Sequence, residues 1–279
     1  MWESKQGAHV LVVVPKLKRR IFDEARVLRR SCLDLNGRVL LCSGPLWVEW
    51  PEPFQDRFRN GLSNPRVFSG MSVRFSRVLL SQPARLWTIR DLAAAADLHL
   101  SHAGRLKLEF AAQGWLAGIL GDWHITSTDR LLNAWREADR WSRRVRRVNR
   151  FKSVGGNGDW ESFCGRLLVK LGRERPVAFT RCVGALLRSG VGEVREISVY
   201  TRFEFSPAVL EELGLVPDPH GDVALLWPAD EAVCAHGRPI RGIPICSDAQ
   251  IYLDLYAGGP AWWEKAEEFR GWSGFLKSD

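Results

Sequence analysis

The side chains with the clearest chemical potential in this sequence are arginines concentrated between residues 127 and 152. This stretch holds nine basic and three acidic residues. A guanidinium group keeps its charge at any physiological pH and can bind two phosphate oxygens at once. A phosphate polymer is therefore the simplest partner, and each neutralised phosphate adds a salt-dependent contribution to binding. The alternative is a solvated charged face, partly paired with acidic residues of the same chain.

A single helix over residues 129–151 would gather these arginines on one face. Its apolar stripe would run through Leu131, Trp135 and Val145, with the basic side chains opposite. The predicted phosphate contacts are Arg136, Arg140, Arg143, Arg144, Arg146, Arg147 and Arg150.

The charge of the chain is divided unequally along its length. Residues 1–152 contain 27 basic and 14 acidic side chains, whereas residues 153–279 contain 13 and 18. We therefore expect the first half to meet a polyanion. A basic surface kept only for solubility is the alternative.

A compact group of predicted elements lies just before the arginines. Helices are expected at residues 72–81, 89–96 and 101–113, followed by hairpin strands at 115–120 and 123–126. Thr88 is a suitable N-cap for the second helix, and Ser101 for the third. Gly114 ends the third helix. This order predicts a winged helix-turn-helix, in which the third helix can enter the major groove of DNA.

The spacing of apolar residues in the third helix indicates which side chains face outward. Ala103, Leu106 and Phe110 should be buried, which turns Arg105 toward base edges as the leading sequence-reading residue. Lys107 and Thr88 are expected to contact phosphate. The full set of candidate DNA contacts in this segment is Thr88, Arg90, Ser101, His102, Gly104, Arg105 and Lys107. The alternative is a winged helix used only for protein contacts.

The predicted fold class is α+β, with a winged helix-turn-helix in the first half and a mixed α/β domain in the second. The expected segments are a small α/β piece at residues 1–70, the winged helix-turn-helix with its arginine helix at 71–152, and the C-terminal domain at 153–279. Ser153–Gly158 has three glycines in six residues, which favours a boundary there.

Composition excludes several classes of protein. The six cysteines form no Cys-x-x-Cys pair, and no histidine lies at a zinc-ligand spacing from them, so we expect neither disulfides, a metal nor another cofactor. No run of eighteen apolar residues is present, and the early apolar run at 10–14 is followed at once by basic residues. We therefore expect a cytoplasmic protein that does not contact a membrane.

Several segments resemble one known family. The sequence PICSDAQIYLDLY at residues 244–256, with Gly258-Gly259 and the Ala266–Glu268 stretch after it, resembles the C-terminal signature of the AbiEi antitoxin family of type IV toxin–antitoxin systems. Residues 32–37, 87–93 and 177–200 are similar to other segments of the same family. The resemblance implies a transcriptional regulator that represses its own promoter through the winged helix. It also implies a C-terminal domain that neutralises a nucleotidyltransferase-like toxin. Winged regulators often form homodimers, so a second copy of the chain is a further candidate partner.

An enzymatic function is not expected from the residues. Residues 177–201 are faintly similar to a nucleotidyltransferase core, but Ser198–Thr201 lacks the paired aspartates that hold Mg²⁺, and Thr180-Arg181 replaces the usual Gly-Ser. A fold of that kind would be degenerate. Asp34 and Glu49 are nuclease-like carboxylates without a following Glu-x-Lys pair. The alternatives that stay open are a DNA-binding replication or mobile-element factor, and a nucleic-acid-processing nuclease or nucleotidyltransferase.

Overall fold

A computed structural model describes residues 10–17, 19–51, 67–119, 121–154, 159–172, 176–190 and 192–277. The described residues separate into two compact units. The first unit holds those before residue 64 together with residues 109–114, and the second unit holds the rest. The chain is a mixture of helices and several sheets, which confirms the α+β class.

The first unit is built on a four-stranded sheet. Its elements are β1 (Leu11–Val14), α1 (Arg19–Val27), β2 (Ser31–Asp34), β3 (Val39–Ser43) and β4 (Leu46–Trp50). The strand order is β1-β2-β3-β4, with β1 parallel to β2 and the other pairs antiparallel. Phe22 and Ala25 of α1 are buried in one cluster with Cys32 and Leu40, because the apolar face of the helix needs the sheet to exclude water.

The second unit begins with helices and a hairpin. Its first elements are α2 (Val73–Ser81), α3 (Ile89–Ala95), α4 (Leu100–Ala112, of which residues 109–112 group with the first unit), β5 (Leu116–Ile119), β6 (Asp122–Ile125), α5 (Thr128–Ala138) and α6 (Trp141–Arg144). α2 packs against both α3 and α5. Ile119 pairs with Asp122, so Asp122 belongs to β6, which begins one residue before the predicted start at residue 123.

A five-stranded mixed sheet forms the remainder of the second unit. Its elements are β7 (Val145–Ser153), α7 (Trp160–Leu171), β8 (Ala178–Thr180), α8 (Arg181–Ser189), β9 (Ile197–Tyr200), α9 (Pro207–Glu212), β10 (Leu215–Pro217), β11 (Val223–Pro228), α10 (Asp248–Tyr256) and α11 (Pro260–Gly271). The strand order is β10-β7-β11-β9-β8, and only β11 and β9 are parallel. α10 packs on α8 and α11, and its residues Asp248–Leu255 are all buried.

The predicted arginine helix over 129–151 is wrong beyond Ala138. Asp139 and Arg140 have extended backbones, α6 is a single turn, and the chain then continues as β7. Arginine is a good helix former, but helix propensity is a weak preference that tertiary contacts override, and the valines and Phe151 that follow fit a strand. Because β7 hydrogen-bonds to β11 on one side and β10 on the other, tertiary pairing decides the conformation. β7 also crosses the boundary predicted between residues 152 and 153.

Among the described residues, no helix combines the length and the apolar character needed to span a bilayer.

Candidate nucleic-acid interface

The second helix of the predicted interface begins at a well-formed cap. Thr88 has an extended backbone, and its Oγ1 accepts a hydrogen bond of 3.1 Å from the backbone N–H of Asp91. The Thr88 hydroxyl also donates to Asp91 Oδ2 at 2.8 Å. These reciprocal bonds satisfy an N–H group that would otherwise lack a partner at the helix start. They fix the first turn of α3 and place Arg90 in solvent.

The turn from α3 to α4 is held from α2. Asp97 adopts a positive φ of 49°, which reverses the chain direction, and buried Leu98 donates its N–H to the Ala93 carbonyl at 2.9 Å. The guanidinium of Arg74 donates to both the backbone and the side chain of Asp97. Arg74 thus ties the turn to the helix beneath it.

α4 is anchored at its start by one polar contact and then by apolar side chains. His102, a predicted DNA contact, instead hydrogen-bonds within the second unit, where its Nε2 lies 3.1 Å from Ser72 Oγ. Ala103 and Leu106 are buried as predicted. His99 Nδ1 lies 2.7 Å from the Ser101 hydroxyl at the helix start.

The opposite face of α4 is open to solvent. Ser101 and Arg105 are exposed, and Leu108 has 63% of its surface exposed. Among the described residues outside its own stretch of helix, a methyl group built on Gly104 would meet no atom within 4 Å, which leaves space above this position. Lys107 is partly covered, with its ammonium 4.7 Å from the centre of the Trp123 ring. The arrangement can place a guanidinium and a hydroxyl against an external surface.

The hairpin after α4 is joined to the segment before α3. Trp87 and Trp123 exchange two backbone hydrogen bonds of 2.8 Å. They form an isolated antiparallel β-bridge beside the hairpin. The Trp123 ring lies flat over Gly118, where a Cβ would be 3.0 Å from the ring. A side chain at residue 118 would crowd this ring, on which Lys107 packs.

The structure divides the predicted phosphate-binding arginines into two groups. Arg140, Arg143, Arg146 and Arg147 are exposed, but they lie on α6, on β7 and in the loop before α6 rather than on one helical face. Arg147 forms an ion pair with Glu204 and lies over the Trp227 ring.

Arg144 belongs to the buried group and is unavailable to an external phosphate. Only 9% of its side chain is exposed. It donates to Asp139 at 2.7 and 3.0 Å and also to Asp254, which is fully buried. Burial disfavours its charge, but the two carboxylates more than offset that cost and raise the pKa of Arg144 above its ordinary value.

Two further arginines of the predicted set are also occupied. Arg136 donates to the Tyr252 hydroxyl at 3.0 Å and to Glu267. Arg150 pairs with Glu196 at 2.8 Å and donates to the Gly221 carbonyl. The alternative of pairing with acidic residues of the same chain therefore holds for these side chains.

The polar residues of the C-terminal signature are structural partners of distant arginines. Asp248 accepts two bonds from Arg188, and Gln250 accepts one from Arg77 at 2.9 Å. Asp254 accepts from Tyr200 and Thr180 as well as Arg144. Burial raises the pKa of Tyr200 well above its ordinary value, and the negative charge of Asp254 raises it further. The phenol therefore stays protonated.

The two nuclease-like carboxylates, Asp34 and Glu49, also have hydrogen-bond or ion-pair partners within the chain. Asp34 accepts three backbone N–H bonds, from Leu17, Asn36 and Arg38, at 2.9 to 3.0 Å. Glu49 contacts Arg26 and Trp47. In the part of the chain that the structure describes, no cluster of three or more histidine, cysteine or acidic residues could hold a metal ion.

Comparison with known proteins gives no relative by which to interpret this geometry: no family model, curated protein or solved structure matches the chain.

Proposed function

We propose that this chain is a sequence-specific double-stranded DNA-binding protein that regulates transcription, with α2–β6 as a winged helix-turn-helix. The observation that carries the proposal is the solvent-exposed face of α4, where Arg105 and Ser101 lie. The helix is braced at Asp97 by Arg74 of α2 and at His102 by Ser72, the residue before α2. A braced helix whose exposed face carries a guanidinium and a hydroxyl can enter a major groove.

The charge of the first half supports the same proposal, with fewer phosphate contacts than the sequence predicts. Arg90 and Arg105 are exposed within the segment, and Lys107 lies beside the hairpin. The arginines that pair inside the protein contribute no counterion release.

Duplex binding measured by fluorescence anisotropy tests the proposal. The probe is a labelled duplex from the region upstream of the gene, compared with a scrambled duplex of equal length at several salt concentrations. Arg105→Ala should weaken binding to the preferred duplex by about 1–3 kcal/mol and relax the preference, because an arginine reading guanine contributes that much.

Arg238→Ala is the matched control, because Arg238 is also exposed but lies outside the helix-turn-helix segment. Equal effects of the two variants, or no preference for the upstream duplex, would contradict the proposal. Preferred binding to repeats at a replication origin would instead indicate a replication or mobile-element factor. Mg²⁺-dependent strand cleavage would indicate an enzyme.

The resemblance to the AbiEi family extends the proposal to an antitoxin that represses its own promoter. Such a protein would neutralise a nucleotidyltransferase-like toxin. Co-expression with the product of an adjacent toxin gene tests this extension, and the expected result is restored growth. Continued growth arrest would restrict the proposal to transcription regulation.

A further inference from the structure

A cavity of about 320 Å³ in the second unit is lined by an unusual number of arginines. It lies between the start of α2, the region around α6, and the turn that follows β11. Its volume falls at the lower end of the range for small-molecule sites, about 300–1,000 Å³. The six lining arginines are Arg74, Arg77, Arg140, Arg143, Arg144 and Arg202.

The acidic residues of the lining neutralise only half of these arginines. Three acidic residues are present, and each is already paired with one arginine. The pairs are Arg74–Asp230, Arg144–Asp139 and Arg202–Glu231, with N–O distances of 2.8, 2.7 and 2.9 Å. Arg77, Arg140 and Arg143 are therefore left without a carboxylate from the lining.

Arg77 is the most informative of the three because it is buried, with 2% of its surface exposed. Its Nη2 donates to Gln250, whereas Nε and Nη1 are buried without a hydrogen-bond partner among the described residues. The face of Trp135 lies 5.9 Å away and compensates only weakly. A buried cation with two unused donors is costly to the fold, and the charge of an anion in the cavity that Arg77 lines would offset part of that cost.

Arg140 and Arg143 extend the same positive charge to the mouth of the cavity. In the described part of the chain, Arg140 donates only to the backbone carbonyls of Glu137 and Asp139. Arg143 is exposed, and within the described ranges its side chain makes no hydrogen bond or ion pair. Both side chains can therefore meet a ligand without first breaking an ion pair.

We propose that this cavity binds a small molecule that carries a phosphate group. Guanidinium groups bind phosphate oxygens in pairs, and a phosphate dianion balances an excess of buried and rim arginine charge better than one carboxylate does. The proposal concerns a site away from the exposed face of α4, and it does not depend on DNA binding.

Isothermal titration calorimetry and thermal unfolding of the full chain test the proposal. The probes are inorganic phosphate, pyrophosphate and adenosine 5′-monophosphate, each in a buffer without other multivalent anions. At least one probe should bind saturably and raise the unfolding temperature. Arg143→Gln should weaken that binding about tenfold, as expected for the loss of one charge-assisted hydrogen bond.

Arg146→Gln is the matched control, since Arg146 is an exposed arginine three residues away that does not line the cavity. It should bind the probe as the wild type does. Arg77→Met is a second variant and should abolish binding. Failure of all three probes to bind, or equal weakening by Arg143→Gln and Arg146→Gln, would overturn the proposal. Loss of duplex affinity in Arg143→Gln without binding of any probe would also overturn it, because the rim would then contact the DNA backbone.

Discussion

Replacing Arg144 with glutamine should show that the arginines of residues 136–150 are not one functional group. In the wild type, its guanidinium donates to Asp139, to Asp254, to the Tyr200 hydroxyl at 3.3 Å and to the Leu253 carbonyl at 3.3 Å. Glutamine keeps a polar side chain but removes the charge and most of these donors. Asp254, which is fully buried, then loses its cationic partner.

The magnitude follows from burial. Breaking a buried ion pair by removing one partner costs about 3–5 kcal/mol, because the charge left behind is desolvated and uncompensated. For a domain of this size, each kcal/mol corresponds to roughly 2–4 °C in the unfolding temperature. The expected decrease for Arg144→Gln is therefore roughly 6–20 °C. Arg143→Gln, one residue earlier and exposed, should change the free energy of unfolding by no more than about 0.5 kcal/mol.

Urea titration followed by tryptophan fluorescence, together with thermal unfolding in phosphate-free buffer, measures both variants. Phosphate is excluded so that a ligand does not stabilise one variant selectively. A loss below about 1 kcal/mol for Arg144→Gln, or equal losses for the two variants, would refute the assignment of Arg144 to the core.

Two other predictions concern packing and acid stability. Gly118→Ala should destabilise the second unit by about 1–3 kcal/mol in urea titration, because the added Cβ would crowd the Trp123 ring. Gly104→Ala is the control: this position has open space on a helix, and the change should stabilise the unit by roughly 0.5–1 kcal/mol. Equal effects of the two changes would contradict the predicted crowding in the hairpin. Burial would raise the pKa of Glu196, but Arg181, Ser198 and Arg150 hold that pKa below its ordinary value. The ionised Glu196 side chain therefore stabilises the folded protein above about pH 4.5, and this contribution is lost as the pH falls through the folded pKa. The stability advantage of the wild type over Glu196→Gln should accordingly shrink between pH 7 and pH 3, and an advantage that stays constant with pH would argue against this ion pair.

Local signals predicted the helix starts and ends between residues 88 and 114 better than the rest of the chain. Thr88 has the hydrogen-bonding side chain that an N-cap needs, and Gly114 has the positive φ of 68° expected after a helix end. The apolar spacing of α4 placed Ala103 and Leu106 inside. These features act within one or two turns of the chain, so the residues that cause them are neighbours in the sequence.

The buried polar partners could not be predicted in the same way. Arg77 lies among apolar residues of α2, and a charged residue in such a position indicates a specific buried partner. Nothing in the sequence assigns Gln250 as that partner. Asp254 and Arg144 are 110 residues apart. A pair of this kind depends on the path of the whole chain between its members.

The sequence by itself determined the helical periodicity, the Thr88 cap, the hairpin and the charge imbalance between the halves, because each depends on neighbouring residues or on composition alone; the predicted Ser101 cap is wrong, because α4 already begins at Leu100. Only the tertiary structure decided that residues 145–153 form a strand, since β11 and β10 supply the backbone partners that a lone segment lacks. It also decided which arginines are paired inside and which are exposed. Arginine has the same charge at every position, and the dielectric surroundings and the nearest carboxylate differ only once the chain is folded.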